Sequence, residues 1–260
     1  MPVHLIMIGI IGGIGPAAGL NLARLITNQI KVQKDQDHVP WILMNQPWRI
    51  VDRTEFLMGH VKENPGDEIA RQILSLEKAG CTVAGIACNT AHAPAIFNRI
   101  TEILNNSDSK IKLVHAIEEM VKNTEDKLEP DARIGILGTT GSYLNKLHAN
   151  PLRKSGFHII DPGLEMQEEM IHKAIYHSEW GIKTRPDPPD SECLLRLQEV
   201  VDYFRQNGAS ALVLGCSEIS LVIDHLDTNG LFQIRPMTAL AGELVRFIKG
   251  QAPGRTSYSM

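Results

Sequence analysis

The sequence predicts an α/β protein made of two similar open parallel sheets. Short aliphatic runs alternate with segments of helical period along the 260 residues, which is typical of a parallel sheet covered by helices. The glycine-rich run at 8–15 (IGIIGGIG) recurs at 134–141 (IGILGTTG). An apolar run also ends on a cysteine twice, at Cys88 and, 128 positions later, at Cys216. Two landmarks that repeat at nearly one offset indicate a duplicated unit of about 125 residues.

The first half of the chain begins with a strand that is apolar on both faces. Residues 5–11 are mostly aliphatic and are followed by glycines, as expected for a strand buried in a parallel sheet. Pro16 stands where a helix can begin. The same patterns assign a helix at 17–32, a strand at 41–44, a helix at 65–79, a strand at 82–87, a helix at 93–105, a strand at 112–116, a helix through 121 and a polar linker at 122–131.

The pattern restarts after this linker with the second glycine-rich strand. Residues 165–176 and 191–206 have helical periodicity, whereas 180–190 is too rich in proline for a helix or a central strand. A last helix at 237–249 is expected to pack back on the first half. The predicted domains are an N-terminal lobe of residues 1–118 plus 236–250, a C-terminal lobe of residues 119–235 and a disordered tail at 251–260.

Composition excludes several classes of function. A formal net charge of −4 without any basic run gives no reason to expect a nucleic acid or a membrane surface as partner. No apolar stretch approaches the length of a membrane span, and the first residues lack the positive region of a signal peptide, so the cytoplasm is expected. No two of the four cysteines form a Cys-x-x-Cys pair, and none has histidines at zinc-ligand spacing, so neither a metal nor a redox centre is predicted.

The two repeated cysteines are the strongest indication of chemistry. A single free cysteine is usually a small hydrophobic core residue. Cys88 and Cys216, however, stand at matched strand ends that precede plausible helix starts, where backbone N–H groups lower the pKa of a thiol. Because reactive loops lie at the carboxyl ends of parallel strands, two facing halves would enclose a cleft with one thiol on each wall. Such a pair suits removal of a proton from one face of a carbon and its return on the other. Cys81 and Cys193 lack this setting and are predicted to be structural.

The glycine loop after the first strand is less specific. Gly13, Ile14 and Gly15 open a segment that fits the G-x-G-x-x-A form of the dinucleotide-binding fingerprint. The acidic residue expected at the end of the second strand is missing, since that strand is followed by Asn45. A nicotinamide cofactor is therefore disfavoured, and we prefer a loop whose N–H groups bind a carboxylate.

Polar residues beside these loops have two interpretations each. Asn89, Thr90 and Ser217 either cap helices or hold a substrate carboxylate, and the same choice applies to Thr139 and its neighbours Thr140 and Ser142. Glu218 either accepts a substrate ammonium or begins a helix. Arg53 either pairs with a carboxylate or is an ordinary surface arginine. His92 either tunes the Cys88 thiol or caps a turn.

Five motifs in order resemble the aspartate/glutamate racemase superfamily, and more narrowly its aspartate racemase branch. They are GIIGGIGP at 9–16, DRT at 52–54, CNTAH at 88–92, GTTG at 138–141 and GCSE at 215–218, and the resemblance spans residues 3–250. It implies a PLP-independent amino-acid racemase without a cofactor, with two flavodoxin-like, three-layer α/β/α lobes, an active site in the cleft between them and a homodimeric assembly.

The resemblance also implies roles for individual residues. Cys88 and Cys216 correspond to the two acid/base groups of the family. Asn89, Thr90 and Ser217 fall on its substrate-binding positions, Arg53 on the arginine that binds the substrate side chain, and Lys183 is the nearest candidate for its late lysine. Relatives often carry an aspartate before the proline near the last helix, where this chain has Arg235.

The resulting hypothesis is a cofactor-independent aspartate racemase that interconverts L- and D-aspartate with two cysteines. One alternative is a glutamate racemase or one that acts broadly on acidic amino acids. A decarboxylase or a cis–trans isomerase of the same fold is a second alternative, and a one-thiol decarboxylase does not need both cysteines. A third is a non-catalytic amino-acid-binding protein, motivated by Arg235.

Overall fold

The computed structural model describes residues 6–251, which form two compact units. The first unit comprises the described parts of residues 1–52, 62–116 and 237–260, and the second comprises residues 53–61 and 117–236. The lobe boundaries drawn from the sequence stay a prediction. The short segment 53–61 lies within the second unit although it follows a strand of the first, which no sequence pattern indicated.

The first unit has a four-stranded parallel sheet with strand order 2-1-3-4. The strands and helices up to the linker are β1 (Met7–Ile11), α1 (Pro16–Asn28), β2 (Trp41–Met44), α2 (Arg53–Leu57, in the second unit), α3 (Pro65–Lys78), β3 (Cys81–Ile86), α4 (Pro94–Asn106), β4 (Lys112–Leu113) and α5 (Ala116–Glu125, in the second unit after Ala116). Three 3₁₀ turns occur at Asp35–Asp37, Pro47–Arg49 and Thr90–His92.

The second unit repeats this arrangement with strand order 6-5-7-8. Its elements are β5 (Arg133–Leu137), α6 (Thr140–Leu144), α7 (Ala149–Lys154), β6 (His158–Ile159), α8 (Leu164–Met166), a π-helical segment (Gln167–His172), α9 (Lys173–Tyr176), α10 (Ser191–Gln206), β7 (Ala211–Leu214), α11 (Ile219–Val222), a 3₁₀ turn (Ile223–His225), β8 (Phe232–Ile234) and α12 (Pro236–Gln251), most of which returns to the first unit.

Each sheet has a topological switch point, where the strand order reverses, and the two switch points lie between equivalent strands. In each, the first strand of the repeat lies between the second and the third, so the strand order reverses between β1 and β3 and again between β5 and β7. Ligands of open parallel sheets bind outside the carboxyl ends of the strands at such a point. The glycine loop and Cys88 follow β1 and β3, and the Thr139 turn and Cys216 follow β5 and β7. Each thiol therefore stands at a position that this topology favours for binding.

A glycine in one strand of each sheet allows a helix to pack closely. A Cβ atom at Gly85 of β3 would lie 2.8 Å from the Leu244 side chain of α12, and one at Gly135 of β5 would lie 2.5 Å from the Phe204 ring of α10. Leu244 and Phe204 are both fully buried. The apolar cores of the two units are thus built on helices seated directly against strand backbone.

Three expectations about the elements change. The linker at 122–131 is wrong in its first part, because α5 continues to Glu125 with Met120 and Thr124 buried one turn apart on one face. The helix expected at 165–176 contains the π-helical segment Gln167–His172. The disordered tail at 251–260 lies outside the described residues, except that Gln251 ends α12. Among the described helices, none is both long and apolar enough to cross a membrane.

Candidate active site

Cys88 is held just beyond the end of β3. The ladder between β1 and β3 continues into the loop, since the Ala87 N–H donates to the carbonyl of Ile11 (2.9 Å). The Cys88 N–H then turns back to the carbonyl of Ile86 (2.8 Å), which ends the strand. The Cys88 residue keeps 7% of its surface exposed. Its thiol therefore stands at the rim of the sheet within an ordered turn.

The glycine loop after β1 lies against the loop after β2. A Cβ atom at Gly13 would lie 2.6 Å from the backbone nitrogen of Gln46, so a larger residue would displace backbone there. Gly15 precedes Pro16, the first residue of the 13-residue helix α1, and Ile14 is buried. The loop therefore leads directly into a helix N-terminus, and its role in binding a carboxylate stays a prediction.

Asn89 and His92 fill the turn that follows Cys88. The Asn89 side chain makes no helix-capping bond, and among the described residues neither its amide oxygen nor its amide nitrogen has a hydrogen-bond partner. His92 Nδ1 donates to the carbonyl of Cys88 (2.8 Å). Its ring also contacts Phe97 and His115, at centroid distances of 5.5 and 4.9 Å. Burial and then the neighbouring His115 lower the pKa of His92 to about 3, so the ring is neutral at pH 7. The His92 ring therefore holds the backbone of the Cys88 loop. The Asn89 side chain does not cap a helix, so the capping interpretation of Asn89 has no support.

Cys216 lies in a charged hydrogen-bond network in the second unit. Its Sγ donates to Glu218 Oε2 (3.0 Å), and the Ser217 hydroxyl donates to the same oxygen (3.1 Å). The other carboxylate oxygen of Glu218, Oε1, accepts from Lys183 Nζ (2.7 Å). Glu218 thus accepts three hydrogen bonds in a buried position, which is the satisfied state that a buried carboxylate requires.

The network fixes the protonation of its members. Burial alone would raise the pKa of Glu218, but the Lys183 ammonium outweighs burial and lowers that pKa to about 2. Burial alone would lower the pKa of Lys183, but the Glu218 carboxylate raises it well above the usual range. Burial first and the Glu218 charge second raise the pKa of the Cys216 thiol well above its ordinary value. At neutral pH this site therefore holds an ion pair and a protonated thiol.

The prediction that the thiol at each strand end has a lowered pKa is therefore wrong for Cys216. The sequence argument counted the partial positive charge of backbone N–H groups at a helix start. The helix that follows, α11, has only four residues, and a carboxylate lies 3.0 Å from the sulfur. A full negative charge at that distance, together with burial, outweighs a short helix.

Arg53 joins this network because α2 belongs to the second unit. Thr54 beside it packs on α6, where a Cβ atom at Gly141 would lie 3.0 Å from the Thr54 Cα. The Arg53 side chain is buried, and its positive charge acts on Lys183, lowering the pKa of that ammonium against the stronger effect of Glu218. The structure thus brings Arg53, Lys183, Ser217 and Glu218 to the side of Cys216.

Two aromatic residues at this site were missed by the sequence analysis. Lys183 Nζ lies 5.1 Å from the centre of the Tyr176 ring, and the Tyr176 hydroxyl donates to Thr54 Oγ1 (3.4 Å). His172 stacks on Tyr176 at a centroid distance of 4.7 Å. A signal existed, because His172 and Tyr176 are four residues apart in a predicted helix and so share a face.

Comparisons with known proteins identify the family of this chain. A family model described as Asp/Glu/Hydantoin racemase matches residues 11–244. The chain belongs to this family. It is 22% identical over 236 residues to the broad specificity amino-acid racemase RacX of Bacillus subtilis (strain 168), which covers 86% of this chain and 90% of that protein. The resemblance that the motifs indicated is confirmed, and the chain is a racemase of this family.

Solved structures of the family share its fold. An aspartate racemase of Picrophilus torridus superposes with a TM-score of 0.76 at 25% identity and covers 94% of both chains. A glutamate racemase of Francisella tularensis, in complex with D-glutamate, gives a TM-score of 0.66 at 15% identity, covering 98% of this chain and 86% of that chain. The predicted fold class, two similar parallel-sheet lobes, is confirmed.

Other predicted site residues of this racemase have structural contacts. Thr139 caps α6 by accepting from the Ser142 N–H (3.3 Å), while the Ser142 hydroxyl donates to the Thr139 carbonyl (2.8 Å). Arg235, where relatives often have aspartate, forms an exposed ion pair with Asp224 (3.1 Å) and a hydrogen bond with Gln233. The capping interpretation of Thr139 therefore has direct support, and the Arg235 guanidinium is engaged beside β8.

The remaining cysteines of this racemase differ from the matched pair. Cys193 is fully buried, its Sγ donates to the carbonyl of Ala174 (3.4 Å), and burial raises the pKa of its thiol to about 12. Burial likewise raises the pKa of the Cys81 thiol to about 11. Neither thiol follows the carboxyl end of a strand, which accords with their predicted structural role.

Proposed function

We propose that this protein is a PLP-independent aspartate racemase in which Cys88 and Cys216 exchange the α-proton of the substrate. The observation that carries the proposal is the matched placement of the two thiols after β3 and β7, at equivalent switch points of two repeated sheets. The similarity to the P. torridus aspartate racemase, at 25% identity over 94% of the chain, supports the substrate.

The protonation state of Cys216 suits one of the two roles. In one direction of the reaction the Cys88 thiolate takes the α-proton, the electron pair of the broken C–H bond moves toward the α-carboxylate, and the Cys216 S–H donates its proton to the opposite face. The cycle leaves Cys88 as the thiol and Cys216 as the thiolate, ready for the reverse direction. The pKa of Cys216, raised by burial and by Glu218, favours the starting state in which Cys216 is the acid.

The charge around Cys216 supports an acidic substrate. Arg53 and Lys183 are two cationic side chains beside Cys216, and Lys183 is paired with Glu218. Aspartate has two carboxylates at neutral pH, and cationic side chains complement them. We assign the guanidinium fork of Arg53 to the side-chain carboxylate of the substrate. The α-carboxylate is assigned to the side chains of Asn89, Thr90 and Ser217, together with the loop of Gly13, Ile14 and Gly15. Thr139 is proposed to support that site as the cap of α6.

Hydrogen exchange in heavy water tests the proposal directly. We expect deuterium to enter Cα of both L- and D-aspartate when either is incubated with the enzyme in D₂O, read by ¹H NMR and chiral chromatography, without added PLP. Alanine serves as the matched neutral substrate. Absence of exchange with aspartate and glutamate alike, alongside tight binding, would identify an amino-acid-binding protein instead.

A substitution at Arg53 tests the choice of substrate. We expect Arg53→Gln to lower kcat/KM for aspartate by about 10- to 100-fold and to change the much slower turnover of alanine little, because only aspartate has a side-chain carboxylate. Arg53→Lys, which keeps the charge but loses the fork, should fall between. Equal losses for aspartate and alanine would assign Arg53 a structural role in seating α2.

Glutamate is the alternative substrate, and broad specificity is supported by the 22% identity to RacX. One methylene separates aspartate from glutamate, a difference that a pocket discriminates by about 10- to 200-fold. The same exchange assay, run in parallel on both acids, ranks them by initial rate. We further propose that the protein is a cytoplasmic homodimer. Light scattering of the purified protein tests whether it is a dimer.

A further inference from the structure

A cavity of about 230 Å³ lies in the second unit and is lined by residues outside the cysteine network. It is bounded by the carboxyl end of β5, the helices α6 and α7, the end of β6 with the residues after it, and the start of the π-helical segment. Neither Cys216 nor any of its partners Ser217, Glu218 and Lys183 lines it. Cavities of roughly 150 Å³ accommodate benzene, so this volume suits a ring bearing a small polar group.

The cavity has an apolar wall and a buried polar group. Ile136, Ile159, Ile160 and Pro162 contribute aliphatic surface. His148 also lines the cavity, is only 1% exposed, and its Nε2 has no hydrogen-bond partner among the described residues. Buried polar atoms are paired in folded proteins in the great majority of cases. The His148 imidazole thus borders the cavity with unused hydrogen-bonding capacity, which indicates a ligand with a polar head.

The charges at the cavity favour an anionic head. Lys146 and Arg153 both line it, and within the described part of the chain neither forms an ion pair. The lining includes one carboxylate, Asp161, whose Oδ1 already accepts from the Tyr143 hydroxyl (2.8 Å) and the Gly163 N–H (2.9 Å). Burial lowers the pKa of His148 to about 4, so its ring is neutral at pH 7 and can donate one N–H to a carboxylate.

The wall of this cavity also supports the loops that carry the candidate active site. Gln167, the first residue of the π-helical segment, donates from its amide to the carbonyl of Gly138 (2.9 Å), next to Thr139. The His148 ring lies 3.1 Å from where a Cβ atom at Gly215 would stand, directly before Cys216. Single π-turns in helices occur frequently at functional sites. Here the π-turn supplies a polar wall residue to the cavity.

We propose that this cavity binds a small monocarboxylate with an aromatic or branched aliphatic body, with its carboxylate toward His148, Arg153 and Lys146 and its body against the isoleucines. Such a site goes beyond the racemase reaction, because it takes no part in proton transfer at Cα. Its ligand is distinguished from aspartate by its apolar body and its single carboxylate.

Binding of benzoate and 3-phenylpropionate to the ¹⁵N-labelled full chain tests the proposal. We expect saturable shifts of the backbone amides of Gly138, Ser142, His148 and Ala149, with millimolar or tighter affinity. Benzamide, the neutral match of benzoate, should bind about tenfold more weakly, because it cannot form charge-assisted hydrogen bonds. Acetate, which lacks the body, should bind more weakly as well.

Substitutions separate this site from the cysteine network. We expect the double variant Lys146→Gln/Arg153→Gln, whose side chains are exposed enough to change without loss of folding, to weaken benzoate binding about tenfold or more. Lys154→Gln, an exposed neighbour that does not line the cavity, is the matched control and should bind as the wild type. His148→Phe keeps a ring of similar size without its nitrogen and should weaken binding too.

Three results would overturn the proposal. The first is the lack of any saturable shift with benzoate or 3-phenylpropionate in the folded protein. The second is equal binding of benzoate and benzamide that the Lys146→Gln/Arg153→Gln variant leaves unchanged. The third is a set of shifts confined to residues 53–57 and 215–218, which would place the acid at the cysteine network instead.

Discussion

The loops after β3 and β7 occupy equivalent positions in two repeated sheets, yet their surroundings differ. Around Cys88 the structure places a neutral imidazole on the loop carbonyl and a buried amide, Asn89. Around Cys216 it places a carboxylate and an ammonium, Glu218 and Lys183, in direct contact. The repeated backbone thus fixes where each thiol stands, while the side chains decide its electrostatics. The surroundings of the two thiols in this duplicated fold are therefore chemically different, and those of Cys216 raise its pKa.

The largest effect should follow removal of either thiol. We expect Cys88→Ser and Cys216→Ser each to lower the rate of aspartate racemisation about 10³-fold or more, because a hydroxyl is a far poorer acid and base than a thiol. The control is Cys81→Ala. Because Cys81 lies at the start of β3, this variant should retain activity. Circular dichroism spectra of each variant, compared with that of the wild type, would verify that the variant is folded.

A single cysteine variant with full turnover would break the comparison, because only one thiol would then act. Equal residual rates of the two variants in both directions, L to D and D to L, would leave the thiols functionally alike. Different residual rates for the two directions would sharpen the asymmetry.

A buried histidine lies near the thiol loop of each unit, and these two histidines should make stability depend on pH. The pKa of His92 is lowered to about 3 and that of His148 to about 4, each mainly by burial. The unfolded chain, with ordinary values near 6.5, therefore binds more protons as the pH falls. Stability is fully present above about pH 6.5 and is lost below it. Between pH 7 and pH 5 we expect a loss of roughly 4 kcal/mol in the free energy of unfolding.

Urea unfolding at several pH values measures this effect. His148→Phe and His92→Phe should each remove about half of the pH dependence between pH 7 and pH 5, if the two units contribute equally to one cooperative transition. A free energy of unfolding that stays constant over that window would show that the two rings are solvated or protonated in the folded protein.

A smaller effect should follow the loss of the Glu218 charge. We expect Glu218→Gln to lower the pKa of Cys216, because the carboxylate that raises it is gone while the Lys183 ammonium stays. The Cys216 peptide should then react faster with iodoacetamide at pH 7, as read by mass spectrometry, and racemisation should fall by about 10- to 100-fold because the acid is mismatched. Glu199→Gln, an exposed change on α10, is the control.

An unchanged alkylation rate of Cys216 in the Glu218→Gln protein would contradict the network. The Cys88 peptide provides an internal reference, since Glu218 makes its hydrogen bonds with Ser217, Cys216 and Lys183. A change at Cys216 without a change at Cys88 would locate the asymmetry in the second unit.

The smallest effect compares the two glycines at equivalent positions of β1 and β5. A Cβ atom at Gly135 would lie 2.5 Å from the rigid Phe204 ring, whereas one at Gly9 would lie 3.0 Å from the flexible end of Leu76. We expect Gly135→Ala to cost about 1–3 kcal/mol of unfolding free energy and Gly9→Ala less than about 1 kcal/mol. Urea midpoints at pH 7 measure both, and the reverse order would contradict the packing described for β5.

Much of the frame could be predicted from local patterns. Aliphatic runs followed by glycine or cysteine identified the central strands, because a strand buried in a parallel sheet must be apolar on both faces. The repeat of two landmarks identified the duplication. Elements with mixed patterns differ from the prediction: α5 extends into the expected linker, and no periodicity distinguishes the π-turn from an α-helix.

The sequence by itself determined the fold class, the family and the position of both thiols, because strand ends and motifs are short-range features. Only the tertiary structure decided that Arg53 joins Lys183 and Glu218 in the second unit, although these residues are far apart in the chain. It also decided that Cys216 carries its proton. The reason is that a pKa depends on burial and on charges within a few ångströms, and the groups that supply them come from distant segments of the chain.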